Sequence, residues 1–411
     1  MRAVDVVRSR RVLVIALLGF GSGLPLLLTG QTLTAWMTAE GVSLKSIGVF
    51  SLVGLPYTFK WVWAPLLDRY RVPFLGRRRG WLLVLQLALM GAIAFMGSVD
   101  PRAEPGLLAA AAVAVAFLSA SQDIVVDAFN ADTLLPEERA AGGATYLTGY
   151  RAAMLLTGAL ALALADRASW QAIYWWFAGL MLIGVVGTLV AREPAEAEAR
   201  PATLAAAVWR PVAELLRQPS VAIVFAFVAL FKFGDHVALH LIIPFLKSGA
   251  GFSFATIALL YHLLGFAGTL VGGVMAGPLV VKVGLRRALF LFGALQALTN
   301  ILWAVLATAE GSRALLVTAV VCDNLANAVG SAAFVAYLMS RCDRAFSATQ
   351  FALLTSLSSI GGRLFTFAGT ALQAAAGWPA VWLATAAVAL PALVLVRWLP
   401  LEPPRVTSAD R

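Results

Sequence analysis

Charge is what this chain has least of. Only 13% of its 411 residues are Asp, Glu, Lys or Arg, while 61% are hydrophobic. A soluble domain of that length could not keep so much apolar side chain from water, so the soluble globular class is excluded. Cysteine is nearly absent as well. Cys322 and Cys342 stand along and just beyond one predicted helix, about 30 Å apart at 1.5 Å per residue. That distance excludes a disulfide and leaves them as packing residues. Histidine is scarce: His236 and His240 share a helix face, but no further ligand lies near them, so no metal site is expected. No lysine follows a glycine anywhere, which removes the GK[ST] phosphate loop and with it an ATPase activity of the chain itself. GFGSG at 19–23 opens no strand–helix unit and is not a dinucleotide loop. No cofactor is expected. The alternating segments of an outer-membrane barrel are missing too.

What the chain does have is long apolar runs, such as VLVIALLGFGSGLPLLLTGQTLTAW and VAIVFAFVALFKFGDHVALHLIIPFL. About 20 such residues cross a ~30 Å hydrocarbon core as a helix. Charged and Pro/Gly-rich breaks mark twelve spans: 12–36, 44–66, 80–98, 106–130, 140–165, 169–191, 220–246, 254–280, 287–307, 314–338, 346–374 and 377–399. The expected fold class is an all-α polytopic membrane protein of twelve transmembrane helices in two six-helix bundles.

The net charge of +10 suggests nucleic acid until the charges are placed. Arg2, Arg8, Arg10 and Arg11 precede the first span, and Arg69, Arg71 and Arg77 to Arg79 follow the second. Arg192, Arg200, Arg210 and Arg217 lie after the sixth, and Lys282, Arg286 and Arg287 after the eighth. All fall on one side of the membrane, opposite loops holding only Lys45, Arg102, Arg167, Lys247 and Arg313. The positive-inside rule then puts both termini in the cytoplasm. The basic surplus serves topology and the lipid bilayer, and no nucleic-acid partner is expected. The first span is too long for a signal-peptide core and is read as an anchor.

Residues 192–220, REPAEAEARPATLAAAVWRPVAELLRQPS, form the longest polar interval. They divide an N-terminal bundle, 1–191, from a C-terminal one, 220–411, with a cytoplasmic loop at 192–219. A faint repeat supports the division: APLLDRYRVPFLGRRRG follows the second span and GPLVVKVGLRRA the eighth. Duplicated halves of this kind build secondary transporters.

Polar residues inside the spans carry the chemistry. SASQDIVVDAFNA, 119–131, ends a long apolar run. Ser119, Asp123 and Asp127 repeat every fourth residue and so line one helix face, with Gln122 beside it and Asn130 continuing it. A buried carboxylate is costly in a membrane, and such a stripe implies a bundle interior or a wet cavity. Two carboxylates one turn apart repel, which favours protonation of one of them, as proton-coupled transport requires. Other spans supply counterparts: Lys60, Arg151, the KFGDH cluster with Lys232 and Asp235, then Asp323, Asn324 and Asn327, and finally Gln350 and Arg363. A pair such as Lys232–Asp235 is equally readable as a structural ion pair. At the cytoplasmic ends, Asp68, Arg69 and Arg139 are candidate gate residues.

Several stretches resemble the AmpG-type muropeptide permeases of the major facilitator superfamily. They are GFGSGLPLLLTGQTLTAWM, SIGVFSLVGLPYTFKWVWAPLLDRY, GRRRGWLL, SASQDIVVDAF, LPEERAAGGA, TGYRAAM, FKFGDH, DNLANAVGSAAFVAYLM and FSATQFALLTSLSSIGGR. The resemblance runs from about residue 12 to 395. It implies a proton-coupled importer of the bacterial inner membrane. The cargo would be anhydro-muropeptide, GlcNAc-1,6-anhydro-MurNAc with or without its peptide, recovered for peptidoglycan recycling, and the imported fragments would also signal β-lactamase induction. It further implies that Gln122, Asp123, Asp127, Lys60, Arg151, Lys232, Asp235, Asn324 and Gln350 match family positions. His236, His240 and Gly361 to Arg363 depart from the pattern.

Combining residues and resemblance, Asp123, Asp127 and Asp235 are expected to couple protons. Gln31, Tyr57, Lys60, Ser119, Gln122, Arg151, Lys232, Asn324 and Gln350 are expected to contact cargo. Sugar hydroxyls and acetamides suit the amides and hydroxyls, and carboxylates suit the cations. Trp36, Tyr57, Trp61 and Tyr150 offer faces for sugar rings. The partners are therefore anhydro-muropeptide, protons and lipid, and the chain is expected to act as a monomer. A facilitator of another anionic metabolite, such as an acyl-coenzyme A or a sugar conjugate, is the alternative carrier. A membrane-embedded enzyme on lipid-linked sugars has no catalytic constellation here, and a non-transporting sensor remains a distinct class.

Overall fold

The computed structural model describes residues 10–134, 139–194, 212–218, 220–309, 311–342 and 347–401. Among these every regular element is helical. The chain divides into two compact units, Met1–Arg200 and Pro201–Arg411.

The first unit opens with α1 (Arg10–Leu28) and α2 (Gln31–Ala39), separated by a turn at Thr29 and Gly30. Thr29 bonds back to Pro25 O, closing the turn inside what the sequence presents as one span. The second expected span is not one helix either. It is α3 (Leu44–Phe50), a 3-10 turn, α4 (Leu55–Phe59), a second 3-10 turn at Lys60–Val62, and α5 (Ala64–Arg69). Pro56 and Pro65, each in the first turn of its piece, cannot donate to the preceding turn, which segments the run. Then come α6 (Arg77–Gly97), α7 (Pro105–Thr133) and α8 (Arg139–Leu155), the last continuing through a π turn at Leu156–Leu160. The unit closes with α9 (Trp170–Leu180) and α10 (Leu182–Val190), so the sixth expected span is two helices in tandem.

The second unit holds α11 (Val221–Phe231), α12 (Phe233–Pro244), α13 (Leu264–Val283), α14 (Leu285–Leu306), α15 (Arg313–Arg341) and α16 (Ser347–Leu395). Within α16 the backbone departs from helix at Gly377, with φ 77° and ψ 178°, a conformation open to glycine. That break separates the eleventh and twelfth expected spans. Ten helical stretches among the described residues are long and apolar enough to cross a membrane. The segmented α3–α5 run and the two parts of α16 account for the difference from twelve.

Glycine positions α1 and α8. A Cβ on Gly19 would sit 2.3 Å from Tyr146 O, one on Gly23 2.3 Å from Tyr150 O, and one on Gly149 2.2 Å from Ala16 O. The two helices therefore meet backbone to backbone, as small residues permit in membranes. Beside this seam Val14, Leu18, Leu82, Leu85, Val125, Val126 and Phe129 form a buried cluster. In the second unit Phe231 stacks on Phe334 and Tyr337 meets Phe227 edge-on within the larger cluster.

Each unit ties its last helix down with an arginine from the basic loop noted in the sequence. Arg79 donates from Nε to Thr188 O (3.0 Å) and from Nη2 to Leu189 O (2.9 Å). Arg286 donates to Arg397 O and, from Nη2, to Leu399 O at 2.9 Å. Guanidinium groups at helix C-termini satisfy orphan carbonyls and meet the negative end of the helix dipole.

Candidate functional site

In the first unit the site is built on α7. Its 29 residues give a rise of about 43 Å, ample for a span with length to spare. Val125, Val126 and Phe129 hold one side of the helix in the apolar cluster. By helical spacing Gln122 shares a face with these three residues, at i+3, i+4 and i+7, whereas Asp123 and Asp127 turn to the adjoining side, with Ser119 between the two sets. Ser119, Gln122 and Asp123 are buried, while Asp127 is exposed. Gln122 donates from Nε2 to Ser22 Oγ on α1 at 3.4 Å. Three neighbouring oxygens, Ser119 Oγ, Gln122 Oε1 and Asp123 Oδ1, have no hydrogen-bond partner among the described atoms. Buried acceptors are rarely left so, and each is a place for water, a proton or a cargo hydroxyl.

Lys60, on the 3-10 turn between α4 and α5, meets Asp127 at 3.6 Å. The break in that span is what turns the lysine toward α7. Trp63 Nε1 donates to Ser121 Oγ at 3.0 Å and fixes the same contact one turn further along. Asp123 and Asp127, alike in sequence, thus differ in surroundings: one is buried and the other is exposed and paired. Arg151 on α8 is half-buried and makes no ion pair among the described residues. A half-buried guanidinium of this kind offers a planar fork to a carboxylate. Tyr57 is half-buried on α4, and Gln31 is buried at the start of α2. Of the aromatic faces expected to meet sugar, Trp36 is packed instead against Trp170 (6.3 Å) and Tyr174 (5.1 Å) and is almost wholly buried, because α2 runs into α9.

The second unit gathers its polar residues into one network. Lys232, at the junction of α11 and α12, donates from Nζ to Asp235 Oδ2 (2.7 Å) and to Ser331 Oγ (2.8 Å). Asp235 also receives Gln296 Nε2 at 2.6 Å and Asn327 Nδ2 at 2.9 Å. Asn327 Oδ1 accepts from Ser331 Oγ at 3.2 Å. Charge-assisted bonds of this kind knit α12, α14 and α15 together. Asn324 donates from Nδ2 to Val320 O at 2.8 Å and accepts at Oδ1 from Thr269 Oγ1 at 3.0 Å. Its amide lies in the α13–α15 seam, where a Cβ on Gly265 would approach it to 2.9 Å. Gln350 is fully buried near the start of α16.

The candidate gate residues fare differently. Asp68 and Arg69 end α5 and Arg139 opens α8, but their side chains lie outside the described residues, as does that of Arg363. Nearby, Arg78 Nε donates to Asp132 Oδ2 at 3.0 Å, linking the start of α6 to the end of α7. Glu193 receives the backbone N–H groups of Arg78 (2.8 Å) and Arg79 (3.0 Å) and so caps α6 at its positive end.

Sequence reasoning missed Gln296, Ser331, Ser22 and Glu193. A glutamine within the otherwise apolar LFGALQALTNILW was a signal for the first. Nothing in the sequence distinguishes Glu193 from the other acids of its loop. One concavity, of about 480 Å³, is apolar and lined by residues including Phe59, Trp63 and Phe117, and it holds none of the polar residues of α7.

The family model described as Major Facilitator Superfamily matches residues 33–366. The chain belongs to the major facilitator superfamily. Within it, the chain is an AmpG-type transporter. It is 44% identical over 389 residues to the anhydromuropeptide permease of Escherichia coli strain K12, covering 94% of this chain and 79% of that protein. It is also 34% identical to an uncharacterized protein of Haemophilus influenzae, with 95% of each chain covered. Among solved structures, a D-xylose-proton symporter superposes with a TM-score of 0.72 at 15% identity, covering 95% of this chain and 98% of that one. The POT family transporter PepTSo superposes with a TM-score of 0.73 at 12% identity, covering 95% and 97%. The twelve-helix class expected from the sequence is the fold of this superfamily. The transporter's family is one of carriers, not of enzymes.

Proposed function

We propose that this transporter imports anhydro-muropeptides, with or without their peptide, from the periplasm to the cytoplasm for peptidoglycan recycling. It works by alternating access, coupled to protons, as a monomer in the bacterial inner membrane with both termini cytoplasmic. The observation that carries the reading is the 44% identity, over 94% of the chain, to a protein named for that cargo. The division of labour follows from the side chains. Asp123 and Asp127 take up the coupling proton, Asp235 holds its counterpart in the second half, and Lys60, Arg151 and Lys232 meet the carboxylates of the cargo. Gln31, Tyr57, Ser119, Gln122, Asn324 and Gln350 bond its hydroxyls and acetamides, and Asp68, Arg69 and Arg139 close the cytoplasmic side. The halves are 1–191 and 220–411, divided by the cytoplasmic loop 192–219. Support comes from the unpartnered buried oxygens of Ser119, Gln122 and Asp123 and from the ion pair of Lys60 with Asp127.

The test is uptake of labelled GlcNAc-anhydro-MurNAc by purified protein in liposomes, with an imposed pH gradient. Accumulation that needs the gradient and is competed by unlabelled anhydro-muropeptide is expected. Accumulation indifferent to that competitor, but competed by another anionic conjugate, would refute the cargo.

A further inference from the structure

Asp123, Asp127 and Asp235 have roles above; Asp323, on α15, is the remaining acidic side chain within the described spans. It bonds to Thr299 and Trp303 on α14, and the geometry of the Thr299 hydroxyl is restrictive. Thr299 Oγ1 lies 2.8 Å from the Gln296 carbonyl oxygen and 2.9 Å from Asp323 Oδ1. A hydroxyl has one hydrogen to give. If that hydrogen goes to an ionised Asp323, two bare oxygens, of Thr299 and of the Gln296 carbonyl, face each other at 2.8 Å. If Thr299 donates to the Gln296 carbonyl, its oxygen is left to accept, and the contact with Asp323 is a hydrogen bond only when the acid carries a proton. The protonated acid satisfies both contacts at once.

The surrounding charges agree. From the α11–α12 junction and from α12, Asp323 faces Lys232 and Asp235 respectively. Lys232 Nζ is already bound to Asp235 Oδ2 at 2.7 Å and to Ser331 Oγ at 2.8 Å. On α14 it faces Gln296, Thr299 and Trp303, all uncharged. From the segment Ile257–Leu263 the titratable groups are Tyr261 and His262, and α13 carries no charge before Lys282. The side chain of Arg363 on α16 is outside the described residues. Among the described groups one lysine serves two carboxylates, and it is spent on Asp235. An ionised Asp323 would have no cation of its own within the bundle.

We infer that Asp323 is a proton-carrying residue of the second half, linked through Thr299 and Gln296 to the Asp235 network. The link is direct. Loss of the acid's proton turns the Thr299 hydrogen from the Gln296 carbonyl to Asp323 Oδ1, and the same Gln296 holds Asp235 through its side-chain amide at 2.6 Å. Protonation of Asp323 thereby biases the α12–α14–α15 contacts without changing the count of any other proton. The inference rests on the proton-coupled carrier reading.

The test compares Asp323→Asn with the wild type in liposomes. Asn donates to Thr299 as the protonated acid does and cannot release a proton. The variant is expected to keep substrate counterflow, which needs no gradient, and to lose gradient-driven accumulation by tenfold or more. Infrared difference spectra should show a protonated-carboxyl carbonyl band in the wild type at neutral pH that Asp323→Asn removes. Accumulation at the wild-type level would overturn the inference. So would loss of counterflow together with accumulation in a variant that stays folded, since Asp323 would then serve structure or cargo contact. Absence of the infrared band would overturn it as well. If the wild type itself moves no anhydro-muropeptide, the cargo reading fails, and the band still decides the state of Asp323.

Discussion

Replacing Gly23 with Ala tests the packing on which the first unit depends. The new Cβ would stand 2.3 Å from Tyr150 O, where ordinary contact begins at 3.4 Å. The missing distance is about an ångström, and the obstacle is backbone, which cannot rotate aside as a side chain can. The helices α1 and α8 must separate by that amount along their seam. Forced overpacking of this kind costs about 1–3 kcal/mol. Against it stands the helix preference of Ala over Gly, worth up to about 1 kcal/mol. With that offset taken in full, the net destabilisation is about 0–2 kcal/mol, and about 1–3 kcal/mol relative to a Gly→Ala change that meets no obstacle. Gly19→Ala and Gly149→Ala should behave alike, because their Cβ atoms would meet Tyr146 O at 2.3 Å and Ala16 O at 2.2 Å. Gly91→Ala on α6 and Gly143→Ala on α8 are the controls, since nothing lies within 4 Å of a Cβ at either. The assay is the thermal or denaturant midpoint of purified protein in detergent. Midpoints for the three seam variants equal to those of the two controls would refute the backbone contact.

Three further outcomes follow from the polar residues. Asp123→Asn and Asp127→Asn are expected to insert normally yet lose gradient-driven uptake by tenfold or more; vesicles with an imposed pH gradient measure this, and normal accumulation in both would remove them from coupling. Lys60→Ala breaks the ion pair with Asp127 and should raise the half-saturating concentration of peptide-bearing cargo more than that of the bare disaccharide, which concentration-dependent uptake of the two cargoes would reveal. Gln296→Leu removes bonds to a charged acceptor, Asp235, and should cost about 1.5–3 kcal/mol. An unchanged unfolding midpoint would argue that the network is slack.

The sequence by itself determined the class and the twelve-helix fold, and it marked the polar residues that stand inside the spans. Hydropathy does this because a bilayer accepts only helices whose backbone is internally bonded, so about 20 apolar residues can be read as a span without any tertiary information. Acids inside such a run stand out because burying them is costly, which is why Asp123, Asp127 and Asp235 were legible from the letters alone. The resemblance of SASQDIVVDAF and its companion stretches anticipated the family to which the chain belongs. The form of each span was less legible. The breaks near Pro56 and Pro65 look like ordinary membrane prolines in sequence, yet they turn Lys60 onto Asp127.

Tertiary structure alone decided which polar groups are satisfied and which are left over. Asp123 and Asp127 share a motif and a helix, but one is buried with an unpartnered oxygen and the other is paired and exposed. Asp235 and Asp323 read alike in the chain, yet one collects a lysine and two amides while the other meets the Thr299 hydroxyl and the Trp303 indole without a cation of its own. Partnership depends on groups brought within about 3 Å from helices far apart in sequence. Hydropathy and periodicity carry no record of that meeting, because it is the packing of one helix on another, through glycine seams such as α1 against α8, that brings the partners together.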